Sequence, residues 1–229
     1  MCQERPTQPV IDVETRILAR NDRTAAHNRE RFLERGILAV NVMGSPGSGK
    51  TAVLEATAGA FDDARRLAAL AGDLATDNDA ARLRRAGMRS EAIETVQACH
   101  LDAGMVHDAL HHFDLNGVDT LFIENVGNLV CPAVYDLGQQ ANVVVLSVTE
   151  GEDKPLKYPT MFAKADLVLL TKFDLLPHLP HVSVPAILDS LARVMPDPRM
   201  IPISPLTGEG VHEWIGWLAA VRRERRVTA

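Results

Sequence analysis

Behind an N-terminal stretch crowded with charge, the chain reads as short apolar runs separated by segments with helical spacing. Within residues 9–35, Val10, Val13, Ile17, Leu18, Phe32 and Leu33 fall at intervals that suit one or two amphipathic helices. From Ile37 the apolar positions close up. The runs Ile37–Met43, Leu67–Gly72, Thr120–Glu124, Asn142–Val148, Leu167–Thr171 and Met200–Ile203 are apolar nearly throughout, as strands covered on both faces of a parallel sheet must be. Helical spacing occupies 50–61, 77–87, 102–113, 159–165, 183–194 and 210–226. Strands alternating with helices predict a doubly wound, mostly parallel α/β sheet with helices on both faces. Residues 1–36 then form an N-terminal extension, expected to be helical, and 37–229 the main domain. In such sheets ligands bind beyond the carboxyl ends of the strands, so chemistry is sought there.

A length of 229 residues suits one α/β domain with a short extension and falls short of two ordinary domains. With 24 basic against 30 acidic residues the net field repels polyanions, which argues against a general nucleic-acid or anionic-membrane binder. No apolar run reaches the ~18 residues that a membrane span requires. The opening Met-Cys-Gln-Glu-Arg-Pro is polar, with no secretory apolar region behind it. Three cysteines do not make a paired framework, so a reducing cytoplasm is the expected location.

The first strand runs into Gly44-Ser45-Pro46-Gly47-Ser48-Gly49-Lys50-Thr51, which has the form G-x-x-x-x-G-K-[ST] between a strand and a helix. Glycines let backbone N–H groups converge on phosphate oxygens, and the helix start adds its positive dipole end. Lys50 is placed to neutralise the β and γ groups, and Thr51 to set its hydroxyl on Mg²⁺. Glu124 ends an apolar strand and meets the requirement for a Walker-B carboxylate, although a helix-capping or solvated Glu fits the same spacing. Gly127 is placed to offer its N–H to a γ-phosphate. After the second strand, Asp73 is the better metal candidate, while Asp77 and Asp79 suit capping of the next helix. Asn128 stands after Gly127 where a water-orienting Gln is absent, so slow intrinsic turnover is expected, with Asp73 or a partner residue positioning the water.

Later in the chain, Thr171-Lys172-Phe173-Asp174 has the form [NT]-K-x-D at the end of a strand. A fixed carboxylate at Asp174 accepts from N1–H and the 2-amino group of guanine, a donor pair that adenine lacks, while the Lys172 stem lies along the base. In order behind the phosphate loop this selects guanine over adenine. Ser204-Pro-Leu-Thr-Gly208 follows the last strand and suits either a contact to the guanine carbonyl or an ordinary turn.

Soft ligands form a separate set. Cys99-His100 follows an extended stretch and Cys131 lies shortly beyond Gly127. Thiolate and imidazole suit Zn²⁺ or Ni²⁺. Adjacent strand residues point to opposite faces, so Cys99 and His100 share an ion only from a turn. One chain then supplies three ligands, and a second subunit or water completes a tetrahedral shell. Spacing alone fits two buried structural cysteines and a surface histidine better. His107 and His111 have the i, i+4 spacing of a metal pair, but their charged neighbours suggest a solvated face. Cys2 is a lone thiol that, with the terminal amine, forms at most a weak nickel site.

The runs Gly44–Thr51, Cys99-His-Leu-Asp-Ala103, LFIENVGNLVCPAVYDL (Leu121–Leu137) and SVTEGEDKPLKYP (Ser147–Pro159) resemble the HypB family, the nickel-insertion GTPases of [NiFe]-hydrogenase maturation. The resemblance covers about Ile37 to Leu218 and implies a SIMIBI-class P-loop fold that dimerises with GTP. It implies Lys50, Thr51, Asp73 and Glu124 at the phosphate–Mg²⁺ end, and Lys172 and Asp174 on guanine. It further implies that Cys99, His100 and Cys131 bind Zn²⁺ or Ni²⁺ at a dimer interface, in place of the structural reading that spacing favours. Lys154 is implicated in reaching the partner subunit's nucleotide. The implied partners are a homodimer mate, a HypA-type metallochaperone and the hydrogenase large-subunit precursor. Many members begin with Cys-x-x-Cys-Gly-Cys and some have a His-rich tract; this chain keeps only Cys2, so N-terminal nickel storage is not implied. A urease-type nickel GTPase, a P-loop small-molecule kinase and a zinc-stabilised scaffold are the alternatives. Loss of hydrogenase but not urease activity on deletion, unequal binding of ATP and GTP, and the effect of Lys50→Ala separate them.

Overall fold

The computed structural model describes residues 8–73, 77–95 and 98–227. Cys2 lies outside them. The chain opens with a single helix, α1 (Gln8–Glu34), where one or two were expected. It continues through β1 (Leu38–Gly44), α2 (Lys50–Ala60), β2 (Leu67–Asp73), α3 (Asn78–Arg85), β3 (Arg89–Glu94), α4 (Ala103–His112), β4 (Thr120–Glu124) and β5 (Ala141–Ser147). Two short helices, α5 (Lys154–Lys157) and α6 (Pro159–Ala163), lead to β6 (Leu167–Thr171), α7 (Val184–Ala192), β7 (Met200–Pro202) and α8 (Val211–Val227). The strands lie in the order β3-β2-β4-β1-β5-β6-β7, and every pairing is parallel.

Alternation along each strand builds the layers, because successive side chains point to opposite faces. On β1, Leu38, Val40 and Val42 join a core with Val53, Leu54 and Ala58 of α2, Leu83 of α3 and Trp214 of α8. Ala39 faces the other way, where Phe32 of α1 and Val106 and Leu110 of α4 cover one half of the sheet. Met43 faces the remaining part of that side, closed by Met161 and Phe162 of α6 and Ile187 and Leu191 of α7. Strands β1 and β4 to β6 are buried almost end to end, which is why their sequences carry so few polar residues. Among the described residues, no helix is long and apolar enough to cross a membrane.

Helix α1 is tied down by polar contacts as well as by Phe32. Arg29 grips Asp136 with two hydrogen bonds of 2.8 and 2.7 Å, and Asn21 donates to the Asp136 carbonyl at 2.8 Å. Buried Asn28 donates to the carbonyls of Ala103 (2.9 Å) and Leu137 (3.2 Å). Gly138 allows this approach: with φ at +90°, any Cβ there would stand 2.6 Å from the Ala25 carbonyl oxygen.

β3 is the strand that sequence pattern misses. Expected strand ends otherwise differ by one residue at β1, β2, β5 and β7.

Candidate nucleotide and metal sites

β1 lies between β4 and β5, and the chain leaves its carboxyl end into the loop Gly44–Gly49. This is the point at which successive connections diverge, leaving a crevice outside the strand ends. Gly47 and Gly49 have φ of +74° and +99°, a left-handed path that turns the loop's N–H groups inward. A Cβ at Gly44 would meet the Val145 carbonyl oxygen at 2.4 Å. A cavity of about 380 Å³ opens here, lined in part by Pro46, Lys50, Asp73, Arg82, Glu124 and Gly127.

Lys50 is buried and curls back over the loop, its Nζ donating to the carbonyls of Gly44 (3.3 Å) and Ser45 (3.2 Å). Burial lowers its pKa, against the charges of Glu124, Asp79 and Glu150, which raise it. The Thr51 hydroxyl donates to Glu124 Oε1 at 2.7 Å. Glu124 is buried, and its pKa is pushed up to about 7 by that burial, opposed by the Thr51 hydrogen bond and Lys50. Its second oxygen, Oε2, is buried without a hydrogen-bond partner. A hydroxyl beside an under-satisfied buried carboxylate is an oxygen donor set that fits a hard divalent cation such as Mg²⁺. Asp73, at the end of β2, lines the same cavity. Asp79 also lines it, 3.4 Å from Arg82, whereas Asp77 pairs with Arg84 outside it.

Sequence reasoning missed Glu150. Its Oε1 accepts the Ser147 N–H at 2.9 Å, and its Oε2 accepts the hydroxyl of Ser45, in the phosphate loop, at 2.5 Å. Lys154 Nζ lies 3.5 Å from the same oxygen and 5.3 Å from the centre of the Tyr158 ring. Ser147 and Glu150 form a reciprocal capping box, and the S-x-x-E spacing was the signal available for it. Lys154 is therefore held beside its own phosphate loop.

The segment expected to recognise the base follows β6. Thr171 donates to the Ser48 carbonyl at 2.5 Å, joining this strand end to the phosphate loop. Lys172 adopts φ +56°, a left-handed turn into a short 3₁₀ segment that carries Asp174. Ser204 is fully buried; its backbone N–H donates to Glu209 and its Oγ accepts from Thr207 N–H at 3.2 Å. The turn expected for this segment is present, and it lies beside the loop that follows β6, since Phe173 N–H donates to the Ile203 carbonyl at 3.4 Å.

Cys99, His100 and Cys131 converge so that one ligand atom from each lies within 4.8 Å of the others. Cys99 and His100 occupy a bend, which permits adjacent residues to face one point. Cys99 Sγ is 3.1 Å from Cys131 Sγ and 3.8 Å from His100 Nδ1. His100 stacks on Tyr135 with ring centres 3.9 Å apart. Burial lowers the His100 pKa against Asp102, which favours the neutral ring that ligates metal. The Cys131 thiol is pushed up, chiefly by its hydrogen bond with Cys99 and then by burial. Cys99 is exposed and Cys131 half-buried, so the reading of two buried structural cysteines is set aside.

The two sites share one segment. A Cβ at Gly127 would stand 2.8 Å from the Pro46 nitrogen, so this glycine lies directly on the phosphate loop. Asn128 forms an antiparallel bridge with Gly44 and donates its side-chain amide to the Cys99 carbonyl at 3.2 Å. Cys131 follows three positions later. Asn125 anchors the start, accepting from Leu101 N–H at 3.1 Å and donating to Asn41 at 3.2 Å.

A seven-stranded parallel sheet with this loop after β1 defines a P-loop nucleotide-binding protein. Residues 38–198 match the family described as CobW/HypB/UreG, nucleotide-binding domain. The hydrogenase maturation factor HypB of Azotobacter vinelandii is 50% identical over 216 residues, spanning 94% of this chain and 71% of that one. The crystal structure of HypB from Helicobacter pylori in complex with nickel superposes with a TM-score of 0.86 at 40% identity, over 90% of this chain and 97% of that one. HypB from Archaeoglobus fulgidus superposes at 0.82 and 40% identity, over 90% and 100% of the two chains. The chain belongs to the HypB family of hydrogenase maturation factors, with the SIMIBI-class P-loop fold.

Proposed function

We propose that this protein is a GTP-hydrolysing metallochaperone that delivers nickel to the large-subunit precursor of a [NiFe]-hydrogenase, working as a GTP-dependent homodimer in the cytoplasm. The observation that carries the reading is the shared segment: Gly127 rests on Pro46, Asn128 bridges Gly44, and the same backbone continues to Cys131. A change in the phosphate loop is thereby transmitted to one thiol of the metal set. The nickel in the related Helicobacter pylori structure supports nickel as cargo here, and Zn²⁺ suits the same thiolate and imidazole donors.

At the nucleotide end, Gly44, Ser45, Pro46, Gly47, Ser48 and Gly49 cradle the phosphates, and Lys50 neutralises them. Thr51, Glu124 and Asp73 would hold Mg²⁺, which supplies charge neutralisation between the β- and γ-phosphates when bound. Lys172 and Asp174 read guanine, with Ser204 behind them. In the isolated chain Lys154 is engaged by Glu150, and pairing of two chains would free it toward the partner's nucleotide. Residues 37–229 act as the nucleotide-binding unit and 1–36 as its extension. Three ligands per chain leave a coordination shell that a second copy can complete. The exposed side chains of Val130 and Val134, 56% and 42% accessible on either side of Cys131, offer apolar surface for that pairing. A HypA-type metallochaperone would supply or receive the ion.

One titration tests the proposal. Nickel and zinc affinity and oligomeric state are measured with GDP and with a non-hydrolysable GTP analogue. The metal affinity should differ between the two nucleotides, the dimer should form with the analogue, and Cys131→Ala should abolish the difference. Metal affinities that ignore the nucleotide would overturn it. Lys50→Ala should abolish GTP hydrolysis and maturation, and a deletion strain should lose hydrogenase but not urease activity.

A further inference from the structure

A further group of imidazoles lies where α1 packs on α4; Asp108, His111 and His112 form the solvated face that the sequence suggested, while His107 turns partly inward. His107 is half-buried, His111 is exposed one turn later, and their Nε2 atoms are 3.0 Å apart. Their rings meet edge-on, with centres 4.7 Å apart and planes at 84°. His27 on α1 is the next imidazole, its ring centre 5.5 Å from that of His107.

The orientation of His107 follows from Asn28. That side chain is fully buried, and both hydrogens of its amide nitrogen are used by the carbonyls of Ala103 and Leu137. Its Oδ1 must therefore face His107 Nδ1, 3.1 Å away. A carbonyl oxygen only accepts, so Nδ1 of His107 carries the hydrogen. In the neutral ring the lone pair is then on Nε2, aimed at His111. Burial, with His111 and His27 close by, lowers the His107 pKa; Asp108 opposes this and Arg31 reinforces it. An Nδ1–H anchored on a protein carbonyl with Nε2 directed outward is the arrangement that outer-shell partners impose on metal-binding histidines.

Two nitrogens bound at about 2.0–2.1 Å to one ion with tetrahedral or octahedral angles stand about 2.9–3.4 Å apart. The observed separation falls in that interval. We propose that His107 and His111 form a second site for a divalent transition-metal ion of the nickel, copper or zinc class, held by the two Nε2 atoms with water completing the shell. On binding, the Nε2–H of His111 leaves through water and the proton returns on Nδ1, so both rings ligate in the neutral form. The paired imidazoles select against Mg²⁺ and Ca²⁺, which prefer carboxylate and carbonyl oxygen. The site is separate from Cys99, His100 and Cys131, although α4 opens at Ala103 directly behind them. It does not depend on the function proposed above.

Cobalt(II) is a suitable probe, because thiolate ligation produces an intense charge-transfer band that imidazole ligation does not. The full-length protein should take up one equivalent per chain with that band and one further equivalent without it. His111→Ala and His107→Gln should each weaken the further equivalent at least tenfold and leave the band intact. Cys131→Ala should do the reverse. Circular dichroism controls for folding, and His111, being exposed, is the safer variant. Binding of only the thiolate equivalent by the wild type, or survival of the second equivalent in the His107→Gln/His111→Ala double variant, would overturn the site.

Discussion

Thr51 and Glu124 hold each other: the hydroxyl at the start of α2 donates to the carboxylate that ends β4, across 2.7 Å. The bond satisfies one carboxylate oxygen and leaves Oε2 buried without a partner. Such a group is costly until a proton or a cation arrives, and its pKa of about 7 records that cost. The pair is thus a candidate cation site, at which burial favours the protonated carboxyl below about pH 7.

That proton has a consequence for stability. Unfolded, Glu124 titrates near its ordinary value of 4.5; folded, it titrates near 7. Between those values the folded state binds more protons, so its contribution is fully present at low pH and is lost as pH rises through 7. The shift corresponds to about 3 kcal/mol at most. Urea unfolding of the nucleotide-free protein should show wild type losing about 2–3 kcal/mol relative to Glu124→Gln between pH 4.5 and 8. A wild-type-minus-variant difference that does not change with pH would contradict this account.

The coupling between sites should be weakened most simply at Asn128. Replacing it with Ala removes its bonds to the Cys99 carbonyl and from the Val130 N–H, 3.2 and 2.9 Å long, while Cys99, His100 and Cys131 remain. The stability cost should be about 1 kcal/mol, because both bonds lie at the surface. The ratio of nickel affinities measured with GDP and with the GTP analogue should move toward unity. If that ratio is unchanged while Cys131→Ala abolishes it, the signal passes through the backbone alone.

Asp174 gives a test of base choice. Asp174→Asn replaces a double acceptor with a group that presents one acceptor and one donor, so a guanine N–H loses its partner. GTP affinity should fall by roughly 10- to 100-fold, since about 1.4 kcal/mol is tenfold, with ATP affinity little changed. Equal losses for both nucleotides would show that the residue shapes the loop without reading the base.

The features that proved legible in the sequence are those in which a local pattern carries the whole physical requirement. The phosphate loop is one: its glycines and Lys50 lie within eight consecutive residues and need no distant partner to be recognised. Buried parallel strands are another, since apolar residues on both faces leave an unbroken run. β3 escaped because it is an edge strand paired only with β2, and Arg89-Ser-Glu-Ala-Ile-Glu94 buries little beyond Ser90 and Ile93. Glu150 escaped for a different reason: its link to Ser45 joins positions 105 apart and exists only after β1 and β5 pair. The anchoring of His107 likewise needs α1 packed on α4, because Asn28 has no sequence relation to it. For Cys99, His100 and Cys131, spacing favoured a structural role; the bend that aims the first two residues at one point is a property of the folded chain.

Gly127 offers the sharpest test of how closely the shared segment must lie on the phosphate loop. Its alanine variant would place a methyl group 2.8 Å from the Pro46 nitrogen and 2.9 Å from the Pro46 Cα. Backbone atoms cannot yield as a flexible side chain does, so either the loop or the 127–131 segment must shift. Overpacking of this kind costs about 1–3 kcal/mol. A displaced loop should weaken GTP binding at least tenfold and also alter nickel affinity, because Cys131 moves with the segment. Gly59→Ala, near the end of α2 with open space around the new methyl, is the control and should leave both affinities unchanged. Isothermal titration of both variants with GDP, GTP analogue and nickel makes the comparison. If Gly127→Ala binds nucleotide and metal like the wild type, the contact with Pro46 is incidental and the two sites must communicate by another path.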